Sequence, residues 1–174
     1  MAEITYLLTG GVRSGKSSYA LKLASKAEHP FYIATGWDGD EEMKKRIRKH
    51  QTDRNDLWKT IEEQTKLACA IEKAVTRKAD FIIVDCLGAW ITNLMLNEKI
   101  CDIKNNKEVS TFVDAVKNTS IPLAIVTNEV GMGLVPENQM ARDFRDNLGF
   151  VNQLLAKITD RVILMVSGIP MQMK

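Results

Sequence analysis

The sequence reads GGVRSGKS from Gly10 to Ser17, and this stretch matches the pattern G-x-x-x-x-G-K-[ST] at every fixed position. Residues 4–9 before it form a short β-branched and aliphatic run that predicts a buried strand, and residues 18–24 after it predict a helix. A strand, a glycine-rich loop and a helix in this order bind phosphate, because the loop N–H groups and the helix N-terminus point at the same anion. The stretch therefore predicts a P-loop.

The positions of this loop have separate predicted tasks. The glycines allow the backbone to curl with its N–H groups pointing inward. Lys16 is expected to reach the β and γ phosphates of a nucleoside triphosphate, and the Ser17 hydroxyl is expected to ligate Mg²⁺. The candidate phosphate-binding residues are the complete run of Gly10, Gly11, Val12, Arg13, Ser14, Gly15, Lys16 and Ser17.

Length and composition are those of one ordinary globular domain, which we place at residues 1–174. The formal net charge of +2 is too small to indicate a nucleic-acid partner. The three cysteines are widely spaced without a C-x-x-C pair, which argues against a disulfide framework or a zinc site and fits a reducing compartment. No secretory leader is recognisable, and no apolar run approaches the roughly 18–20 residues that span a bilayer. The sequence predicts a cytoplasmic protein without a membrane span.

Along the chain, apolar runs that predict strands alternate with segments that predict helices. Strands are predicted at 4–9, 31–35, 58–62, 81–85, 121–127 and 161–166, and helices at 18–24, from 40 through a basic face at 44–49, at 64–76, 87–96 and 111–118, and at 138–158 with a possible break at Gly149. Residues 97–109 predict a surface excursion and residues 167–170 a loop. Continuous apolar strands indicate a parallel sheet that is covered on both faces. The predicted fold is a three-layer α/β P-loop domain with a mostly parallel sheet.

The residues that follow each strand should converge at one edge of this sheet, where ligands of open α/β folds bind. They are the loop from Gly10 to Ser17, Thr35-Gly36, Asp85, Asn128-Glu129 and Ser167-Gly168. Asp85 is positioned to hold Mg²⁺ during phosphoryl transfer, although an aspartate at this position could also cap the following helix. Glu129 could orient a substrate hydroxyl or bond to loop amides, and the sequence leaves both open.

His50 is the candidate nucleophile. It follows a basic helix face, and an ordinary solvated surface histidine is the alternative interpretation. An imidazole beside a bound nucleotide can attack phosphorus and form a covalent intermediate. Arg46, Lys49 and Arg54 could then neutralise the charge that develops on the phosphate. The other histidine, His29, has no comparable neighbourhood.

Several of these segments together resemble one enzyme family, the bifunctional adenosylcobinamide kinase and adenosylcobinamide-phosphate guanylyltransferase of cobalamin biosynthesis. The similar segments are Gly10–Ser18, Tyr32–Thr35, Glu42-Met43 with Arg46-Ile47, His50, Arg54 and Trp58, Val84–Leu87 with Thr92–Leu94, Val126–Gly133 with Val135–Asn138, Ala141-Arg142, Phe144–Asp146, Asn152-Gln153, and Val166–Pro170. The resemblance runs nearly end to end. One departure is Asn55, where the family usually has proline, so the loop after the nucleophile helix is expected to be less stiff.

The resemblance implies two reactions in one chain. A nucleoside triphosphate, GTP or ATP, phosphorylates the aminopropanol hydroxyl of adenosylcobinamide. GTP then transfers GMP to His50, and the corrinoid phosphate takes the GMP to give adenosylcobinamide-GDP. By position, the implied nucleotide contacts outside the P-loop are Thr35, Gly36, Gln51, Arg54, Glu62 and Asp85, with Ser17 and Asp85 on Mg²⁺. The family also implies a RecA-like fold and a homotrimer.

Three other functions are compatible with a P-loop alone. A plain small-molecule kinase would leave His50 without a role and would not become labelled by GTP that carries radiolabel on its α phosphate. A regulatory switch protein would hydrolyse nucleotide slowly without any dependence on adenosylcobinamide. A nucleic-acid-dependent ATPase, suggested by the basic face at 44–49, would be stimulated by single strands with a steep salt dependence.

Overall fold

The computed structural model describes residues 4–36 and 57–174, and within them it contains seven strands and five helices. The strands are β1 (Thr5–Gly10), β2 (Pro30–Ala34), β3 (Lys59–Glu62), β4 (Phe81–Asp85), β5 (Leu123–Val126), β6 (Arg161–Val166) and β7 (Ile169–Gln172). The helices are α1 (Lys16–Leu23), α2 (Leu67–Thr76), α3 (Leu87–Glu98), α4 (Lys107–Asn118) and α5 (Gln139–Ile158). The basic helix predicted from residue 40 lies outside the described residues.

All seven strands form one sheet in the order β3-β2-β4-β5-β1-β6-β7. Every neighbouring pair is parallel except β6 and β7, which are antiparallel. The register aligns the carboxyl ends of the central strands: Ala34 lies opposite Asp85, and Asp85 lies opposite Val126. The prediction of a mostly parallel α/β sheet is confirmed, and the strand ends that carry candidate residues lie along one edge.

Two hydrophobic clusters cover the two faces of the sheet. The larger cluster packs α2, α3, α4 and α5 against one face, and its largest fully buried side chains include Trp90 and Phe112, whose ring centroids are 5.1 Å apart. The smaller cluster packs Ala20 and Ala24 at and after α1 against Leu8, Ile83 and Val126 on the other face. Because α1 begins at Lys16, inside the P-loop motif, this smaller cluster holds the loop against the sheet.

The predicted loop at 167–170 is wrong, because Ile169 and Pro170 begin the strand β7. Ser167 and Gly168 both have positive φ angles, 51° and 83°, as the two central residues of a tight hairpin turn have. The chain therefore reverses within two residues and pairs β7 with β6. Proline is tolerated in β7 because this is an edge strand.

The segment at 97–109 is mostly exposed, as predicted, but it is anchored in the core and ends earlier than predicted. Its Ile103 is fully buried in the larger cluster, and α4 already begins at Lys107 with Asn106 as its N-cap. Asn147 on α5 holds the segment from inside, because its side chain accepts a hydrogen bond from Ile103 N and donates one to Cys101 O. Gly149 does not interrupt α5, which is one continuous helix. None of the described helices is long and apolar enough to cross a membrane.

A hydrogen-bonded pair ties the start of β1 to the start of β6. Asp160 Oδ2 accepts hydrogen bonds from Thr5 N and Thr5 Oγ1, both at 2.8 Å. These bonds, the backbone bond first, lower the pKa of Asp160 below its ordinary value. A lowered pKa in the folded state means that the carboxylate stabilises the fold above the unfolded-state value and that this contribution is lost as the pH falls through the folded-state value.

We therefore expect Asp160→Asn to lower the Tm at pH 7 by roughly 2–4 °C, the size of effect that one weakened charged hydrogen bond has in a chain of this length. The Tm difference from the wild type should shrink below about pH 3.9, where the unfolded aspartate is protonated. Thermal unfolding by circular dichroism from pH 2.5 to 7 measures this. Asp114→Asn removes another exposed carboxylate and is the control. A Tm difference that is constant across this range would contradict the assignment.

Candidate active site

The P-loop has a backbone that only glycine can adopt at its two ends. Gly10, the last residue of β1, has a φ of 145°, and a Cβ there would collide with the carbonyl oxygen of Met165 on β6. Gly15, directly before α1, has a φ of 94°, and a Cβ there would lie 3.3 Å from Gly168 Cα. The two fixed glycines of the motif are therefore required by close backbone approach as well as by conformation.

Neighbouring connections hold the loop in this shape. Gly168 N in the β6–β7 turn donates to Ser14 O at 3.0 Å, and Glu129 N after β5 donates to Gly10 O at 3.1 Å. The Glu129 carboxylate accepts a hydrogen bond from Gly131 N at 2.7 Å. The sequence left two roles open for the Glu129 side chain. In the structure this side chain bonds to a loop amide, while the backbone N–H of Glu129 anchors the P-loop.

Lys16 is buried under the loop, with 7% of its surface exposed. Its Nζ donates to Gly10 O at 3.0 Å and to Gly11 O at 2.7 Å. Burial lowers the pKa of Lys16, and the Coulombic influence of the neighbouring Cys86 and Asp85 opposes this shift. Burial also raises the pKa of Cys86 to about 11, so at neutral pH this residue is an uncharged thiol and Asp85 supplies the opposing charge. The ammonium is therefore held by weak carbonyl partners beside a carboxylate.

Asp85 is the last residue of β4. One residue on β2 and one directly after β2 fix its position. The Tyr32 hydroxyl donates to Asp85 Oδ2 at 2.6 Å. Thr35 Oγ1 accepts from Cys86 N and donates to Cys86 O, both at 2.7 Å, so it clamps the backbone directly after the aspartate. The N-cap of α3 is Cys86 and carries no side-chain capping bond. The alternative that Asp85 caps this helix is therefore not what the structure shows.

A buried amide connects two more candidate residues. Asn93 on α3 donates through Nδ2 to Thr35 O at 2.9 Å and to Gln64 O at 3.1 Å. These bonds hold the end of β2 beside the segment after β3. Glu62, the last residue of β3, pairs with Ala34 and is exposed. Thr35, Gly36 and Glu62 therefore lie at the same sheet edge as Asp85. Asn93 lies in one of the segments similar to the family, but no role was predicted for it; a polar residue inside the apolar run at 87–96 was the signal that could have indicated one.

The oxygen donors at this edge fit Mg²⁺. Among residues 4–36 and 57–174 no group of three or more His, Cys, Asp or Glu side chains could hold a metal ion. Mg²⁺ typically takes one or two carboxylates, substrate phosphates and several waters, so a hydroxyl at Ser17 and a carboxylate at Asp85 are the hard-oxygen donors that such an ion would take from the protein. The donors described at this edge fit a nucleotide-borne Mg²⁺.

A buried hydroxyl inside the loop lacks a partner. Ser14 is 8% exposed, and its Oγ has no hydrogen-bond partner in the part of the chain that the structure describes. An unpaired buried hydroxyl costs stability unless a ligand or water satisfies it.

The remaining predicted residues, His50, Gln51 and Arg54, lie outside the described residues, as do Arg46 and Lys49. The structure thus describes the phosphate cradle and the strand ends.

Comparisons with known proteins agree on one family. The profile of the family described as cobinamide kinase / cobinamide phosphate guanyltransferase matches residues 6–173. The bifunctional adenosylcobalamin biosynthesis protein CobU of Salmonella typhimurium is 38% identical over 179 residues, covering 97% of this chain and 98% of that protein. The CobU protein of Escherichia coli is 35% identical with the same coverage, and the CobP protein of Pseudomonas aeruginosa is 34% identical over 169 residues, covering 97% and 96%.

Solved structures with a similar fold are ATPases. A prototypical ATPase from a bacterial type III secretion system has a TM-score of 0.57 at 11% identity, and the ATPase EscN from enteropathogenic E. coli, solved with its stalk EscO, has a TM-score of 0.57 at 9% identity. The similar region covers 92% and 94% of this chain but only 50% and 42% of those chains. At this identity the similarity concerns the fold alone, and it confirms the P-loop architecture.

Proposed function

Because the chain belongs to the cobinamide kinase / cobinamide phosphate guanyltransferase family, we propose that a single nucleotide site at the carboxyl edge of its sheet serves both reactions. The observation that carries this proposal is the placement of Lys16 beneath the P-loop with Asp85 close enough to influence its pKa. A cation and a carboxylate at one phosphate cradle are what phosphoryl transfer requires. The chain is an enzyme of cobalamin biosynthesis, and residues 1–174 act as one domain.

In the kinase reaction, Lys16 exchanges its two carbonyl partners for phosphate oxygens. The bonds from Nζ to Gly10 O and Gly11 O are neutral-acceptor bonds, whereas phosphate offers a charged acceptor, which makes a stronger bond. Bound phosphate also offers a partner for the Ser14 hydroxyl. Ser17 and Asp85 would hold Mg²⁺, which would neutralise charge on the phosphates when bound. The hydroxyl oxygen of adenosylcobinamide then forms a bond to the γ phosphorus of ATP or GTP, and the bond from that phosphorus to the bridging oxygen breaks. ADP or GDP leaves, and the hydroxyl proton passes to solvent.

In the guanylyltransferase reaction, His50 is the nucleophile. A neutral imidazole nitrogen forms a bond to the α phosphorus of GTP, and the bond from that phosphorus to the bridging oxygen breaks, releasing pyrophosphate. A phosphate oxygen of adenosylcobinamide phosphate then attacks the same phosphorus and breaks its bond to the imidazole. The product is adenosylcobinamide-GDP, and His50 is free for another cycle.

The nucleotide contacts follow from this assignment. Arg54 and Gln51 lie near His50 in the sequence and serve the nucleotide there, while Thr35, Gly36 and Glu62 serve it from the ends of β2 and β3. The rest are the P-loop residues from Gly10 to Ser17 and Asp85. The partners are small molecules, a corrinoid with GTP or ATP, without nucleic acid. We place the enzyme in the cytoplasm, where these nucleotides are supplied.

The test is a mass spectrum of the intact protein after incubation with GTP and Mg²⁺, followed by peptide mapping. One added GMP on the peptide that contains His50 supports the proposal. A protein that turns over adenosylcobinamide and ATP but never gains GMP would be a plain kinase. A GMP group on a different residue would retain the transferase chemistry and overturn the assignment of His50.

We also propose that the chain forms a homo-oligomer, a trimer by the family resemblance. Large apolar side chains are exposed in the loop between β5 and α5, where Met132, Leu134 and Val135 are 82%, 95% and 66% exposed. Exposed apolar groups that lie this close together are typical of association surfaces. Burying them against a second copy would remove this surface from water.

Leu134→Glu is expected to shift the protein toward the monomer by at least about tenfold in dissociation constant, since it would place a charge in an apolar contact. Sedimentation velocity over a range of concentrations measures this, with Met173→Glu as a control, because Met173 is an exposed apolar side chain outside this loop and outside the nucleotide site. A wild-type protein that sediments as a monomer at all concentrations would overturn the proposal, as would an unchanged oligomer in the Leu134 variant.

A further inference from the structure

Tyr32 points its hydroxyl at the carboxylate of the active-site edge because of the register of the sheet. Tyr32 on β2 pairs with Ile83 on β4, so Asp85 is the residue two positions further along on the same face. A diagonal neighbour of this kind lies within reach of a long aromatic side chain. The Tyr32 side chain does reach the carboxylate, because Tyr32 Oη donates a hydrogen bond to Asp85 Oδ2 at 2.6 Å.

The tyrosine ring is held firmly by its surroundings. It is 4% exposed within the smaller hydrophobic cluster, and Trp58 packs edge-on against it with ring centroids 6.2 Å apart and an interplanar angle of 79°. A ring fixed by packing gives its hydroxyl one position relative to the sheet. The carboxylate thus receives a hydrogen bond from a rigid donor.

Asp85 is therefore positioned by two separate devices. Thr35 clamps the backbone after the aspartate through two bonds to Cys86, while Tyr32 fixes the carboxylate itself. We propose that Tyr32 is a positioning residue that presets the orientation of the Asp85 carboxylate for the Mg²⁺ of the bound nucleotide. This inference rests on the proposed role of Asp85. A hydrogen-bonded carboxylate loses less freedom when it binds a metal, which is why such supporting partners raise metal affinity.

The test is Tyr32→Phe, which keeps the ring and removes only the hydroxyl. Binding of a fluorescent GTP analogue is titrated with Mg²⁺, and binding in EDTA is measured alongside. We expect the Mg²⁺ concentration at half-saturation to rise by roughly tenfold, whereas nucleotide affinity in EDTA stays at the wild-type value. Tyr6→Phe is the matched control, because Tyr6 packs against the same cluster from β1 and lies four residues before Gly10.

A structural role alone would lower the Tm and weaken nucleotide binding with and without Mg²⁺, so the difference between the two titrations isolates positioning. Asp85→Asn tests the metal role of Asp85 separately from the positioning role of Tyr32. If Asp85→Asn loses the Mg²⁺ effect and Tyr32→Phe keeps the wild-type titration, the positioning role is overturned and the metal role of Asp85 stands. If Asp85→Asn also titrates like the wild type, the metal role of Asp85 fails and the role of Tyr32 fails with it.

Discussion

Replacing Lys16 by alanine is expected to reduce phosphoryl transfer to adenosylcobinamide by about 10²- to 10³-fold, the loss that follows when a preorganised group that stabilises transition-state charge is removed. Lys16 lies under the loop that cradles the phosphates, and burial makes its charge act through a medium of low polarity. The alanine side chain offers the phosphate no compensating donor. Steady-state kinetics with saturating ATP and varied adenosylcobinamide measures the change in kcat.

The Lys16→Ala protein should still fold, because other bonds hold the loop. Gly168 N remains on Ser14 O and Glu129 N remains on Gly10 O after the lysine is gone. Lys22→Ala removes an exposed lysine from the last turn of the same helix and serves as the control for lost charge. If Lys16→Ala kept most of the wild-type kcat at an unchanged Tm, the cradle could not be the site of phosphoryl transfer.

The features that the sequence predicted well depend on local rules. The P-loop motif predicts a loop in which glycines allow the backbone to curl, and the structure has Gly10 and Gly15 at positive φ, a conformation that favours glycine. Apolar strands that alternate with helices indicate a parallel sheet, and parallel strands end at one edge. Asp85 and Thr35 could therefore be placed together without knowing which strands are neighbours.

The features that the sequence missed depend on register and on distant partners. Tyr32 and Asp85 are 53 residues apart, and their hydrogen bond exists because β2 pairs with β4 in one register. The bond between Thr5 and Asp160 spans 155 residues. Asn147 organises the segment around Ile103 from another helix. Such contacts are set by strand order and packing, which no local pattern encodes.

Strand β7 in the hairpin after β6 was also missed, because its formation depends on pairing with a neighbouring strand. The sequence predicted a loop at 167–170, but whether its last residues continue as a strand depends on a sheet edge that is available for pairing. β6 offers that edge, and β7 takes it. The prediction that Ser167-Gly168 converges with the P-loop at one edge is confirmed, since Gly168 N donates a hydrogen bond to Ser14 O.

His50→Ala is expected to abolish covalent labelling of the protein by GTP that carries radiolabel on its α phosphate, while kinase activity partly survives. The two reactions involve different phosphorus atoms: γ in the kinase step and α in the transferase step. Removing the imidazole removes the only bond that could retain GMP on this residue. Lys16, Asp85 and the loop are unaffected, so transfer of the γ phosphoryl group persists. Acid-quenched labelling and a kinase assay on the same preparation measure both activities.

His29→Ala is the matched control, since it removes the other histidine of the chain. His29 is exposed before β2, and only its backbone N donates to Asp80, a bond that alanine retains. This variant should label like the wild type. Full labelling of His50→Ala would refute His50 as the GMP carrier, whereas loss of both activities together would mean that residue 50 supports the shared nucleotide site. Loss of labelling alone would separate the two reactions at a single imidazole, leaving the P-loop as the anchor common to both.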